Sequence, residues 1–297
     1  MSEPESLRRA ARDRSTQTLT WRHLYQLATE RLGQAHEARR IVERASGCDG
    51  AEWLLVLDEP VPARALPFFD EMVERRAAGE PLQYVLRRWG FRTLELLVDQ
   101  RVLIPRPETE VVVEVAIREL RRNPSRRPLV ADLGTGSGAI ALSLAVEAPT
   151  ARVWATDASG DALAVARANL AGLGSPAAVR VRLARGRWFE ALPPPLRGQF
   201  DLIVSNPPYV AAHEELPAEV ADWEPRDALV AGPSGLEAVA ELVEAAPVWL
   251  APGGSLVLEL APHQADQVRQ LADEAGFTSV EIRPDLSSRP RVLVARR

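Results

Sequence analysis

The stretch Asp132-Leu133-Gly134-Thr135-Gly136-Ser137-Gly138-Ala139 ends an apolar run that begins at Leu129 and leads directly into another, Ile140-Ala141-Leu142. It reads as a strand that turns through glycines into a helix. Glycines at such a turn let the backbone come close to a ligand, and the first N–H groups of the helix point at it. Nineteen positions past Gly138 the next strand ends at Asp157, a carboxylate placed to accept hydrogen bonds from ribose hydroxyls. Together these imply an adenosine-containing cofactor. Gly134, Gly136 and Ala139 also satisfy the dinucleotide pattern G-x-G-x-x-G/A, so a nicotinamide cofactor stays open on this ground alone. Two details favour S-adenosylmethionine: Asp132 suits a cationic amino group and would repel a pyrophosphate, and Gly138 extends the turn to G-x-G-x-G. A purely structural glycine turn is the bland alternative, and Asp157 weighs against it.

Working outward, the chain after Pro128 alternates strands, near 129–133, 152–156, 179–183, 200–205, 255–260, 279–282 and 291–295, with helices at 138–147, 161–171, 236–246 and 264–275. This is an α/β pattern, a parallel sheet covered on both faces. The last two runs, separated by Arg283 to Pro290, read as an antiparallel hairpin at the sheet edge. Before this region the period is helical: Leu24, Leu27, Ala28 and Leu32, then Ala38, Ile41, Val42 and Ala45 with Gly47 as a stop, then Phe69, Met72 and Val73 before Gly79. From Trp89 to Ile104 the period changes to two, through Phe91, Leu94, Leu96 and Val98, which predicts a short hairpin. Pro105, Arg106 and Pro107 stiffen the chain, and a helix opens near Thr109 with Glu108 and Glu110 at its positive end. The expected division is a helical domain over 1–88, with 1–17 disordered, a hairpin linker over 89–106 and a catalytic domain over 107–297.

The second informative stretch is Phe200-Asp201-Leu202-Ile203-Val204-Ser205, a buried strand that stops at Asn206-Pro207-Pro208-Tyr209. In a doubly wound sheet this end lies at the same carboxyl edge as the glycine turn, so the two should face one cavity. The Asn206 side-chain oxygen accepts one hydrogen bond, and a carbonyl fixed by the proline pair accepts another. Two convergent acceptors hold a planar NH₂ group, and Tyr209 offers an aromatic wall for it to stack against. An amide or exocyclic amino nitrogen is a poor nucleophile because its lone pair is delocalised. A site accepting both its hydrogens raises electron density there and aims the nitrogen at an electrophilic methyl, with no metal and no strong base. The bland alternative is a Pro-Pro turn closing a strand.

Composition removes competing chemistries. All 36 basic residues among the 297 are arginine, and no lysine is present. A P-loop, a kinase, a pyridoxal Schiff base and a Ser-Lys pair each require a lysine amine. The single Cys48 excludes a disulfide framework or a cysteine zinc site, and the four histidines are scattered without metal-ligand spacing, so no metal is expected. No apolar run reaches the ~18 residues of a membrane span. Met1 to Arg14 carries Glu3, Glu5 and Asp13 and lacks an apolar core, unlike a signal or transit peptide, so the expected location is the cytoplasm. Residues 1–90 are net neutral and the whole charge of −5 falls on 91–297, a poor balance for non-specific nucleic-acid binding. The lack of lysine, like the scarcity of Asn, Tyr and Met, reads as a global compositional bias.

The Asp132–Gly138 turn followed by Asn206-Pro207-Pro208-Tyr209 resembles the signature of class I methyltransferases that modify planar NH₂ groups. Within that group the chain resembles the peptide chain release factor glutamine methyltransferases, the HemK/PrmC family, over nearly its whole length. The linker motifs Gly79-Glu80-Pro81-Leu82-Gln83-Tyr84 and Leu103-Ile104-Pro105-Arg106-Pro107-Glu108-Thr109-Glu110 are the most specific part. Trp188-Phe189, Glu224-Pro225, Ala228-Leu229, Asp285 and Arg291 match as well. The resemblance implies a Rossmann-like seven-stranded sheet preceded by a helical bundle and a hairpin linker. It implies that Asp132, Gly134, Thr135, Gly136, Ser137, Gly138, Asp157, Trp188 and Asn206 hold S-adenosylmethionine, with Trp188 flanking the adenine. Asn206, Pro207, Pro208 and Tyr209 would clamp and activate the substrate amide. The implied substrate is the glutamine of the Gly-Gly-Gln loop of release factors, methylated at its side-chain nitrogen by a monomer whose helical domain grips the factor. Two positions depart from the family pattern: Arg187 stands where an acid usually precedes the Trp-Phe pair, and Ser288-Arg289-Pro290 replaces a more glycine-like turn.

Three other readings compete. A ribosomal-protein glutamine methyltransferase would use almost the same residues. An N6-adenine methyltransferase would use the same tetrad, but no basic recognition domain accompanies it. A non-catalytic cofactor-binding scaffold would not require a methyl-acceptor clamp.

Overall fold

The computed structural model describes residues 18–123, 125–174 and 176–297. The expectation of a disordered lead over 1–17 lies outside the described residues. The chain forms two compact units, Met1–Leu86 and Arg87–Arg297.

The first unit is helical: α1 (Trp21–Leu32), α2 (Ala35–Ser46), α3 (Glu52–Val56), α4 (Leu66–Ala77) and α5 (Leu82–Leu86). The apolar stripes read from the sequence form its core, with Leu24, Ala28, Ile41, Val42, Phe69, Met72 and Val73 buried together beside Trp21 and Trp53. Gly33 and Gly47 end α1 and α2 in the left-handed conformation, donating to the carbonyls of Thr29 and Glu43. Glu80 of the linker motif is held within this unit by a bidentate ion pair with Arg75.

The second unit opens with an antiparallel hairpin, β1 (Trp89–Phe91) and β2 (Leu94–Leu96), in which Phe91 faces Leu94 and Trp89 faces Leu96. Helix α6 (Pro107–Arg122) follows, with Pro107 in its first turn where no N–H is needed and Glu108 and Glu110 beside it. Then β3 (Leu129–Leu133), α7 (Ala139–Glu147), β4 (Arg152–Asp157), α8 (Gly160–Gly172), β5 (Val181–Arg185) and β6 (Phe200–Ser205) alternate as expected. A short parallel pair, β7 (Val210–Ala211) and β8 (Val230–Gly232), brackets α9 (Ala218–Trp223). The chain finishes with α10 (Glu237–Trp249), β9 (Leu250–Glu259), α11 (Ala265–Glu274), β10 (Ser279–Pro284) and β11 (Pro290–Arg296).

The main sheet has seven strands in the order β10-β11-β9-β6-β3-β4-β5. The pairings from β5 across to β9 are parallel, and β10 with β11 forms the antiparallel hairpin at the edge. On one face Leu129, Ala131 and Leu133 of β3 share a core with Val239 and Leu242 of α10 and Val268 and Ala272 of α11. On the other, α6 packs against β9 and β6, and α7 against β4. Strand order reverses at β3, whose neighbours are β4 and β6. A crevice opens outside the carboxyl ends of strands at such a reversal, and ligands bind there.

Three boundaries differ from the sequence expectation for physical reasons. Residues 178–180 make one tight helical turn, so β5 starts two residues later than predicted. Helix α10 runs past Pro247 to Trp249, because burial of that indole against Phe189, stacked at 5.6 Å, holds the last turn helical. Strand β9 begins at Leu250 rather than 255 because its first residues pair with Phe200 before a register shift.

Candidate functional site

The glycine turn is built by backbone geometry that other residues resist. Gly134, Gly136 and Gly138 have φ of 73°, 55° and 86°, all left-handed. The N–H groups of Gly134 and Thr135 both donate to the Thr156 carbonyl, at 2.9 and 2.8 Å, which ties the turn to the end of β4. Gly136 N–H then donates to Asp157 Oδ2 at 2.9 Å, and Ser159 N–H to Asp157 Oδ1 at 2.9 Å. Asp157 is therefore fixed at the cleft while each oxygen retains a lone pair for a ligand hydroxyl. Burial pushes its carboxyl up, opposed by those two backbone bonds.

Asp132 is wholly buried. Its Oδ2 accepts from Thr135 Oγ1 at 2.6 Å and from the Ala141 N–H at 3.0 Å, so it pins the turn to α7. Its Oδ1 has no partner among the described residues. Burial pushes this carboxyl up to about 7 against the pull of its two hydrogen bonds. Gly138 caps α7, and its Cα faces Leu142 and Ala166, so its place is in packing the helix onto the turn.

Trp188 covers the turn: a Cβ added to Gly134 would stand 3.2 Å from its Cζ3. The indole Nε1 donates to Glu241 Oε2 at 2.9 Å, and Arg187 grips the same carboxylate through two nitrogens. Arg187, which stands where an acid usually precedes the Trp-Phe pair, is thus paired with Glu241 of α10, and its guanidinium lies 5.7 Å from the indole centroid.

At the neighbouring strand end, Ser205 Oγ donates to the Leu133 carbonyl and joins the two motifs. Asn206 Nδ2 donates to Thr109 Oγ1 at 3.2 Å, and Thr109 Oγ1 donates to Glu259 Oε2 at 2.7 Å. The Tyr209 hydroxyl approaches the other oxygen, Glu259 Oε1, at 3.4 Å, and the Tyr209 carbonyl accepts from Gln264 Nε2 at 2.9 Å. Burial raises Glu259 to about 7, and burial beside Glu259 raises the Tyr209 phenol to about 12. Close by, Glu224 accepts from the Ile104 N–H at 3.1 Å and pairs with Arg106, fixing the proline-rich entry to α6.

A cleft of about 650 Å³ brings these pieces together. Gly134, Thr135, Gly136, Ser137, Asp157, Trp188, Asn206 and Pro208 line it. Asp132, Gly138, Pro207 and Tyr209 do not: Asp132 and Pro207 are buried beside it, and Tyr209 is committed to Glu259 and Gln264. Thr109 and Glu259 were not singled out as site residues. A carboxylate ending the apolar run Leu256-Val257-Leu258 is the signal that could have found Glu259, since a buried charge needs partners.

Residues 111–222 match the methyltransferase small domain family, and residues 23–86 match the PrmC N-terminal domain family. The release factor glutamine methyltransferase of Xylella fastidiosa (strain Temecula1) is 45% identical over 271 residues, covering 91% of this chain and 95% of that protein. The chain belongs to the release factor glutamine methyltransferase family. That of Burkholderia pseudomallei (strain K96243) is 44% identical over 86% of this methyltransferase and 89% of its own length. Among solved structures, the Thermus thermophilus 16S rRNA N2 G1207 methyltransferase, in complex with AdoMet and guanosine, aligns with a TM-score of 0.52 at 20% identity. It covers 71% of this chain and 49% of its own. The fold is that of a class I methyltransferase. Among the described residues no helix is long and apolar enough to cross a membrane, and no group of three or more His, Cys, Asp or Glu is placed to hold a metal ion.

Proposed function

We propose that this enzyme transfers the methyl group of S-adenosylmethionine to the side-chain amide nitrogen of the glutamine in the Gly-Gly-Gln loop of a bacterial peptide chain release factor. The observation that carries this is the orientation of Asn206: its NH₂ is committed to Thr109, which leaves Oδ1, an acceptor, for the cleft.

The residues present fit the cofactor. The left-handed turn from Gly134 to Gly138 leaves open space over Gly136 for close approach, and Asp157 stands ready for two ribose hydroxyls. Trp188, held by Glu241, would flank the adenine, and the unpartnered Asp132 Oδ1 suits the cationic amino group. When bound, the cofactor supplies an electrophilic methyl on a sulfonium whose leaving group is a neutral thioether.

The protein's part is to hold and polarise. Asn206 Oδ1 and the Pro207 carbonyl accept the two amide hydrogens, which keeps the NH₂ planar and its nitrogen turned toward the methyl. Two acceptors raise electron density on a nitrogen that resonance otherwise impoverishes. Positioning of this kind supplies on the order of 7–11 kcal/mol of barrier reduction. Pro208 shapes the wall, and Tyr209 braces the loop through Glu259. We place the helical unit in gripping the release factor and the enzyme in the cytoplasm, where release factors act.

Incubation with purified release factor, ribosomal proteins and nucleic acid in separate arms, with methyl-labelled cofactor and peptide mapping, tests this. The expected product is one labelled glutamine in the Gly-Gly-Gln loop. Label confined to a ribosomal protein or to adenine would replace the reading.

A further inference from the structure

Asn206 serves a substrate amide in only one of its two orientations. Oδ1 and Nδ2 are alike in size, and turning the amide over exchanges an acceptor for a donor at the cleft. The groups behind it decide which. A threonine hydroxyl has a single proton, and an ionised carboxylate can only accept. With Glu259 Oε2 2.7 Å away, Thr109 directs its proton there, and its oxygen is left to accept from the Asn206 NH₂ at 3.2 Å. Thr109, at the wall of the cleft, is 3% exposed and Glu259 0%, so the carboxylate end of the hydrogen-bond chain is shut off from solvent.

We infer that Thr109 and Glu259 are positioning residues whose directed hydrogen bonds, from amide to hydroxyl to carboxylate, set the polarity of the Asn206 amide so that Oδ1 faces the substrate nitrogen. This rests on the clamp role of Asn206 proposed above and extends it to two residues behind the clamp.

The direction reverses when Glu259 takes up a proton. Its O–H then donates to Thr109, the threonine proton turns to Asn206, and the amide rotates to offer Oδ1 inward and NH₂ to the cleft. Donor would then face donor, and the substrate amide loses its acceptor. The groups facing Glu259 are Thr109 and Glu108 from α6, Tyr209 from the loop after β6, and Arg291 from β11. Burial and Glu108 favour the protonated form, Arg291 and the two hydroxyls the ionised one, and the balance lies at about 7. The reversal therefore falls near neutral pH.

Thr109→Val keeps the shape and removes the hydroxyl, whereas Thr109→Ser keeps it. The Val variant is expected to lose activity in kcat, by up to about 10²-fold for a misaligned acceptor, with KM for the release factor and Kd for S-adenosylmethionine by calorimetry unchanged. The Ser variant should restore most of kcat. Wild type and the Ser variant should both lose kcat as pH falls through about 7, and that acid limb should vanish in the Val variant and in Glu259→Gln. A Val variant at wild-type kcat, a Ser variant no better than Val, or an acid limb that persists in Glu259→Gln overturns the relay. Should the Val variant fail to bind cofactor, the Glu259→Gln pH profile decides alone. Wild type that transfers no methyl to release factor removes the functional reading and the relay with it, whereas active wild type with an unimpaired Val variant removes only the relay.

Discussion

At the residue scale, the function proposed above assigns Asn206 to the methyl acceptor and Asp157 to the cofactor. Asn206→Ala is expected to leave cofactor binding intact and abolish most turnover, because it removes one of the two acceptors that polarise the amide. Asp157→Ala should instead weaken cofactor binding by about 1.5–3 kcal/mol, the range for hydrogen bonds to a charged group. Calorimetry and a methyl-transfer assay on both variants check this; equal losses of affinity in the two would refute the division. The place of both residues at the cleft was legible in the sequence because each belongs to a contiguous motif at a strand end. Thr109 and Glu259 were not, since their contact spans 150 positions and neither has a local pattern that announces it. Glu241 is a similar case, because its contacts to Arg187 and Trp188 span more than fifty positions.

At the scale of elements, the turn between β3 and α7 is held open by its glycines and closed over by Trp188. Gly134→Ala places an L residue at φ 73° and a Cβ 3.2 Å from the indole. The left-handed conformation alone costs roughly 1–2 kcal/mol. The expected result is a lower thermal midpoint together with weaker cofactor binding, since the indole must shift; a variant with an unchanged midpoint and Kd would show that the turn tolerates a side chain. The seven main strands and four helices of the sheet were readable because long runs repeat at period two or 3.6 or are wholly apolar. The pair β7 and β8 was not, as strands of two and three residues carry too few positions to show a period. The interior proline of α10 misplaced that helix's end for a different reason, tertiary burial of Trp249 outweighing a local rule.

At the scale of the whole molecule, stability and activity pull against each other in pH. Burial raises Asp132 and Glu259 to about 7 from ordinary values of 3.8 and 4.5. The folded protein holds these protons more tightly than the unfolded chain does. The stability they contribute is complete below the unfolded values and is lost as pH rises through about 7. The unfolding free energy of wild type relative to Glu259→Gln should therefore fall between pH 4.5 and 7 and level off above, as urea denaturation would measure; a gap that grows in favour of wild type with rising pH is the contrary result. The fold class was visible in the sequence because alternation and the two motifs agree. The order of synthesis adds a constraint of its own. Strand β11 lies inside the sheet between β9 and β10, and its Arg296 locks onto Glu119 of α6 at 2.7 Å. Until residues 290–296 have been made, β9, which ends in Glu259, has an open edge, and such edges invite pairing with other chains. Closure of the sheet beside Glu259 therefore waits on a segment made well after it, and a nascent chain held short of residues 290–296 carries that edge unpaired.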